Sequence, residues 1–546
     1  MSVRERLIGL PVIVQLALAG SLAMLIPAGH AAAAAEWAMA RIFLHSAIGC
    51  TLLLVLVSLA MAGRIPADRS RAVLPTMLGA YAVLPLVLAV PLAAALPDTG
   101  LFNAWWEMLS CLTTTGATLY APDLLHPSLH LWRSVVGWLG GLFVLVAAIA
   151  LLAPLHVGGF EIVSGASLGL ADGAREPGTR SRAPRPDSQI RRISADPGAR
   201  MWRWGAEVAP LYIGLTAALW LALMMLGDPA LVALCRAMGT LSTSGIGPIA
   251  GPVGEPGSGV ATEAVIALFL LPALTRRFWP GGNELQLAPG LRDDPELRIA
   301  AGLVLSVTLV LMVRPLLGAI GVVGAVAPPE AAAPGVIGDL ARAFAAAWGA
   351  AFTALSFLTT TGWTSIHFEG SRAWSGLSAP GLIMAGLAMM GGGVATAAGG
   401  VKLLRVYALA RHSKRELERI VHPASVAGGG ARARQLRQGG AHLAFIFFML
   451  FAMSLALVVV LVTIRPIRLE TATILSVAAL TNTGPLAEAI PLIQAYQSDA
   501  GSAGAPWAGW AGLTVFTKAV LAGAMVAGRI ETLALLAMLS PGLWRR

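Results

Sequence analysis

Apolar positions along this chain neither alternate nor form a single helical stripe; they fill continuous runs. Runs such as 37–63 and 440–464 exceed the roughly 20 apolar residues that a helix needs to cross a bilayer core. Residues 10–28 and 37–63 are predicted to form a helical hairpin. One order of elements then recurs four times: a long apolar helix, a short one, a polar turn and a second long helix. The segments are 73–96, 101–113 and 130–154; 203–226, 229–242 and 258–276; 297–325, 340–359 and 377–413; and 440–464, 471–481 and 507–540. The short segments fall below spanning length, so each must dip into the membrane and return on the side it came from.

Each unit then contains an even number of spans, and all four face the same way. Parallel repeats arrange around an axis along the membrane normal, whereas inverted repeats put that axis in the membrane plane. The predicted fold class is an all-α polytopic membrane protein. It has four parallel helix–pore-helix–helix repeats around a pseudo-fourfold pore, plus an N-terminal helical hairpin. The predicted divisions are the hairpin 1–65, repeat one 72–156, a cytosolic linker 157–201, repeat two 202–277, repeat three 296–413 with a broken inner helix, a second linker 414–439, and repeat four 440–546. Arg4, Arg6, the apolar run and an Ala-rich stretch at 31–35 also fit a signal peptide. A retained helix is favoured, because the span that follows needs a hairpin partner.

Composition agrees. The chain is 57% hydrophobic and 12% charged, with a mean hydropathy of +0.75. A net charge of +10 would suit nucleic acid, but its distribution argues for a bilayer. Arg64, Arg69 and Arg71; Arg175 to Arg200; Arg276, Arg277, Arg292 and Arg298; Arg411 to Arg437; and Arg545 with Arg546 all fall in alternate loops or at the C-terminus. The remaining loops carry acids such as Asp98, Asp123, Asp228 and Glu369. This asymmetry places the basic loops in the cytoplasm. Cys50, Cys111 and Cys235 lie in apolar runs, with spacing that fits neither a zinc site nor a disulfide framework.

The polar turns carry the candidate chemistry. They read Thr114-Thr115-Gly116-Ala117, Thr243-Ser244-Gly245-Ile246, Thr360-Thr361-Gly362-Trp363 and Asn482-Thr483-Gly484-Pro485, with glycines 129, 117 and 122 residues apart. Irregular backbone survives at membrane depth only where protein buries it or water lines it. Glycine allows successive carbonyls to face one side, and rings of carbonyls can replace the hydration shell of a K⁺-like ion. Thr114, Thr243, Thr360 and Asn482 can add side-chain oxygens. Each short helix running inward would also aim its partial negative end at the bilayer centre. Asp228, before Pro229, and Asp339 and Thr471 are predicted N-caps for three of these helices.

With these motifs the chain resembles the TrkH members of the Trk/Ktr/HKT potassium-transporter superfamily over nearly its whole length. Trp132-Arg133-Ser134 with Trp138-Leu139-Gly140-Gly141 resembles the start of that family's first outer-to-inner helix. Gly391-Gly392-Gly393 with Gly399-Gly400-Val401-Lys402 resembles its glycine-rich intramembrane loop. Lys518, Gly528-Arg529-Ile530-Glu531, Pro541 and Trp544 resemble its C-terminal helix. The resemblance implies K⁺ uptake across a bacterial inner membrane, a homodimer, and a cytosolic TrkA-like RCK regulatory subunit. Nucleotide would bind on that partner, and this chain would carry no cofactor beyond K⁺ ions. Gly116, Gly245, Gly362 and Gly484 inherit the family's filter positions and hence K⁺ contact. Family members with serine at the first position lean towards Na⁺, where this chain has glycine. The chain departs from the family at Ser244, in the hydroxyl-poor loop Val394-Ala395-Thr396-Ala397-Ala398, and at Leu270-Leu271-Pro272.

The resemblance also makes the loop, with Thr396 and Lys402, a gate below the filter; the alternative is a packing kink of small residues. Lys518 and Arg529 are 11 residues apart on one helix, close to three full turns, so they share a face about 16 Å apart. Arg529 is predicted to project beneath the filter and join the gate, the alternative being a snorkelling cation. Lys518 is predicted to form a structural ion pair with Glu107 or Glu470. A sodium-selective or weakly selective conductor of the same fold, or a proton-coupled symporter, remains the rival reading. No clustered acids, histidines or nucleophile support an enzyme, and no Walker loop supports nucleotide binding by this chain. Lipid and the regulatory partner are the expected contacts, with no nucleic acid.

Overall fold

The structure, a computed structural model, describes residues 11–61, 73–152, 197–280, 291–319, 336–375, 381–422, 441–490 and 509–530. All regular elements among them are helical. The protein is a multi-pass membrane protein, and eight of these helices are long and apolar enough to cross a bilayer. Most of the basic loops, Glu531, Pro541 and Trp544 lie outside the described residues.

The first hairpin helix runs Val12–Ala23 and resumes as Leu25–Ala33, longer than expected, before Trp37–Met61 returns. It rests on Val73–Ala95 through small residues: a Cβ on Gly20 or Gly79 would press on Leu88 or Ile13 respectively. Close approach through small side chains is how apolar helices associate when lipid removes the hydrophobic drive.

The first repeat comprises Val73–Ala95, the pore helix Gly100–Leu112 and the inner helix Pro127–Ala147. The second comprises Pro197–Met225, the pore helix Ala230–Leu241 and Val260–Leu270. That last helix ends in a tight turn, Leu271–Ala273, containing Pro272, and stops short of the expected 276. The third comprises Pro295–Ala319, the pore helix Val336–Leu358, the extra helix Phe368–Ser375, and an inner helix split into Gly381–Met390 and Leu403–Val421. The fourth comprises Ala441–Thr463, the pore helix Leu469–Leu480 and Val515–Ile530.

Two expectations change here. The third pore helix, Val336–Leu358, is long and apolar enough by itself to cross a membrane over Ala341–Leu358, a stretch that lies within the segment expected to be too short. The three predicted caps also fail. Asp228 gives its carboxylate to Arg236, at 3.1 and 3.0 Å, and does not cap the helix that follows Pro229. Asp339 and Thr471 lie inside their helices. The Asp-Pro cap occurs elsewhere: Asp294 Oδ1 accepts the Glu296 N–H at 3.0 Å, with Pro295 as the first helical residue.

Candidate ion pathway

Every pore helix ends in the same turn. In the first, the Thr114 N–H donates to Cys111 O (2.9 Å) and the Thr115 N–H to Ser110 O (2.9 Å), with Thr114 at φ 53°. This is a Schellman motif, which usually places glycine at the left-handed position. Here that position holds Thr114, Thr243, Thr360 and Asn482, at φ 53°, 55°, 58° and 55°. Left-handed backbone is unusual for a β-branched residue and costs about 1–3 kcal/mol; it recurs at three threonines, while the fourth position holds Asn482, a residue type that adopts it more readily.

The hydroxyl preceding this residue, which the sequence reading did not single out, also recurs. Thr113, Ser242, Thr359 and Thr481 hydrogen-bond to the hydroxyls of Thr115, Ser244, Thr361 and Thr483 at 2.8, 2.9, 3.0 and 3.1 Å. The full motif is therefore hydroxyl, left-handed residue, hydroxyl, glycine. The second hydroxyl of each turn is turned back on its own helix.

The four turns form a closed ring. A Cβ on Gly116 would overlap the Ser244 carbonyl oxygen, and one on Gly245 the Thr361 carbonyl oxygen. A Cβ on Gly362 would lie 2.8 Å from the Pro485 ring, and one on Gly484 2.7 Å from Thr115 O. Each glycine thus lets its turn abut the next, and the fourth abuts the first. Gly116, Gly245 and Gly362 have φ of 74°, 62° and 84°. Gly484 lies outside this left-handed region, and its N–H donates to Thr115 O at 2.6 Å. Pro485 then leads into a short helix, Leu486–Ala489. The ring is fourfold in sequence with a seam between its last and first members.

The residues after the glycines serve the wall behind the ring. Ala117 O accepts the Ser110 hydroxyl at 2.7 Å, Ile246 is buried, and the Trp363 indole N–H reaches Thr240 Oγ1 at 3.1 Å. Two carboxylates, unmarked in their roles by the sequence, brace the segments leaving the ring. Glu107 accepts the Leu119 N–H (2.8 Å) and pairs with Arg133 (2.7 Å). Glu263 accepts the Ile366 N–H and Ser365 hydroxyl, both at 2.7 Å, and the Trp348 indole N–H at 2.8 Å.

The glycine loop lies directly against this ring. Thr360 Oγ1 accepts the Gly399 N–H at 2.8 Å, and a Cβ on Gly399 would overlap the Thr481 carbonyl oxygen. Gly391 and Gly400 have positive φ and stack closely on each other. Thr396 Oγ1 donates to Gly393 O at 2.7 Å, and Lys402 Nζ donates to Ala398 O. Arg529, buried, joins loop and ring: its Nε donates to Thr113 O and one Nη to Ala397 O, both at 2.6 Å. The Thr114 and Thr243 hydroxyls and Asn482 Oδ1 are buried without a hydrogen-bond partner among the described residues, while the Asn482 amide donates to Thr115 Oγ1 and Met525 O.

Lys518 is buried on the same helix as Arg529 but forms neither expected ion pair. Glu107 is taken by Arg133 and Glu470 is exposed. The Lys518 ammonium instead donates to Asn103 Oδ1 at 3.1 Å.

No family model matches the chain. Curated relatives do. The Trk system potassium uptake protein TrkH of Salmonella typhimurium is 26% identical over 480 residues, covering 86% of this chain and 84% of its own. TrkH of Halomonas elongata is 26% identical over 481 residues with the same coverage, and TrkI of that organism is 25% identical over 475 residues, covering 86% of this chain and 82% of its own. Among solved structures, the crystal structure of the potassium transporter TrkH from Vibrio parahaemolyticus matches with a TM-score of 0.71 at 22% identity, covering 99% of this chain and 100% of that one. In sequence over most of the chain, and in fold over nearly all of it, this membrane protein resembles TrkH-type proteins, as the four motifs implied.

Proposed function

We propose that this chain takes up potassium across a bacterial inner membrane through the ring of four turns. The closed contact of Gly116, Gly245, Gly362 and Gly484 with their neighbours carries this reading. Such a ring would bring main-chain oxygens of four turns towards one axis, in a chain whose relatives are named as potassium uptake proteins. A dehydrated alkali ion would be bound there as cargo, with its hydration shell replaced by carbonyls. The glycine loop 391–402 and Arg529 would then form the gate. The loop hydrogen-bonds to Thr360, and Arg529 adds a cation beside it. A homodimer and a TrkA-like RCK subunit carrying the nucleotide complete the proposed assembly.

Expression in a strain lacking potassium uptake tests this reading. Growth at limiting K⁺ is expected with the wild-type chain. Gly116→Ser, whose added Cβ must displace Ser244, is expected to reduce K⁺ flux at least tenfold and to lower the K⁺/Na⁺ ratio. Failure of the wild-type chain to support growth, with the protein present in the membrane, would overturn the proposal. Equal K⁺ and Na⁺ flux through the wild type would favour the weakly selective reading.

A further inference from the structure

The two halves of the glycine loop are held by different parts of the protein. Residues 397–399 rest on the ring and Arg529. Residues 392–394 rest on the connection between the second and third repeats. The Gly393 N–H donates to Ala273 O at 3.0 Å, and the Val394 N–H donates to Glu296 Oε1 at 2.8 Å. Gly392 and Gly393 admit this contact, since a Cβ on Gly393 would overlap the Leu274 carbonyl oxygen and one on Gly392 would crowd Ala273 O.

Glu296 is buried and comes from a helix 98 residues away from the amide it accepts. A buried carboxylate is expensive unless charge and hydrogen bonds compensate it. Arg276 and Lys402 lie within electrostatic reach of it. Its helix is fixed at the N-terminus by Asp294, which also pairs with Arg277 (2.7 Å) and accepts the Thr275 hydroxyl (2.9 Å). Thr275, Arg276, Arg277, Asp294 and Glu296 thus form one polar cluster in a connection that the charge pattern assigns to the cytosolic side.

We propose that Glu296, through the Val394 amide, latches the glycine loop to the polar cluster formed by residues 273–277 and 294–296, so that displacing this cluster from the cytosol frees the loop. The proposal rests on the loop being the gate. The two acceptors, Ala273 O and Glu296 Oε1, lie on either side of the Asp294 contacts with Thr275 and Arg277, so a movement of this cluster loosens both.

The test is K⁺ flux into liposomes reconstituted with the full chain and no partner, comparing Glu296→Ala, Glu296→Gln and Thr360→Val. Glu296→Ala is expected to raise unstimulated flux several-fold with an unchanged K⁺/Na⁺ ratio, because the ring is untouched. Glu296→Gln keeps an acceptor oxygen and should bring flux back towards wild type. Thr360→Val releases the other end of the loop and should also raise flux. Wild-type or lower flux in Glu296→Ala, with raised flux in Thr360→Val, overturns the latch and leaves the gate standing. Wild-type flux in both overturns the gate and the latch with it. If Glu296→Ala yields no folded protein, Glu296→Asp, with its shorter reach, decides in the same way: raised flux supports the latch and wild-type flux overturns it.

Discussion

At the scale of single residues, the conspicuous cost lies at the left-handed threonine of the first three turns. Thr243 at φ 55° holds a conformation that glycine would adopt freely, and its hydroxyl has no partner among the described residues. Thr243→Gly is expected to stabilise the protein by about 1 kcal/mol, read as a higher melting temperature in detergent, while K⁺ flux falls. Higher stability with unchanged flux would show that the hydroxyl is dispensable. The Glu107–Arg133 pair behaves in the opposite sense. Arg133→Ala leaves a buried carboxylate without its cation and is expected to cost about 3–5 kcal/mol, measured as loss of the folded peak in size-exclusion chromatography. The turns themselves were legible because Gly, Thr and Asn repeat at matching places in four units. The hydroxyls of Thr113, Ser242, Thr359 and Thr481 were equally visible at one fixed offset, but they stand at ordinary helix ends and did not stand out. Asp228 misled as a cap because Arg236, two turns along, competes for its carboxylate.

Among the elements, the last inner helix and the broken third one depend on each other. Arg529 gives one donor to Thr113 O and another to Ala397 O, so it stabilises the loop's resting place and adds positive charge there. Arg529→Ala is expected to raise leak conductance several-fold in the absence of any regulatory subunit; an unaltered leak would remove Arg529 from the gate. The break in the third inner helix was legible in its glycines, and Arg529 in the cost of a cation at depth. Lys518 was misassigned because its partner, Asn103, is neutral and lies 415 positions away. Glu296 could not be read as a loop contact at all. Nothing in the local pattern around a helix N-terminus announces a hydrogen bond to a loop 98 residues further on.

At the scale of the whole molecule, the ring has one seam, where the Gly484 N–H meets Thr115 O across 369 residues of chain. The contacts of Gly116 with Ser244 and of Gly245 with Thr361 join consecutive units, and they become available as the polypeptide is made. The seam does not. While the ribosome is still translating the last unit, three turns face an open side and enclose nothing. A prematurely terminated product that ends before Asn482 therefore lacks the fourth turn and cannot close the ring.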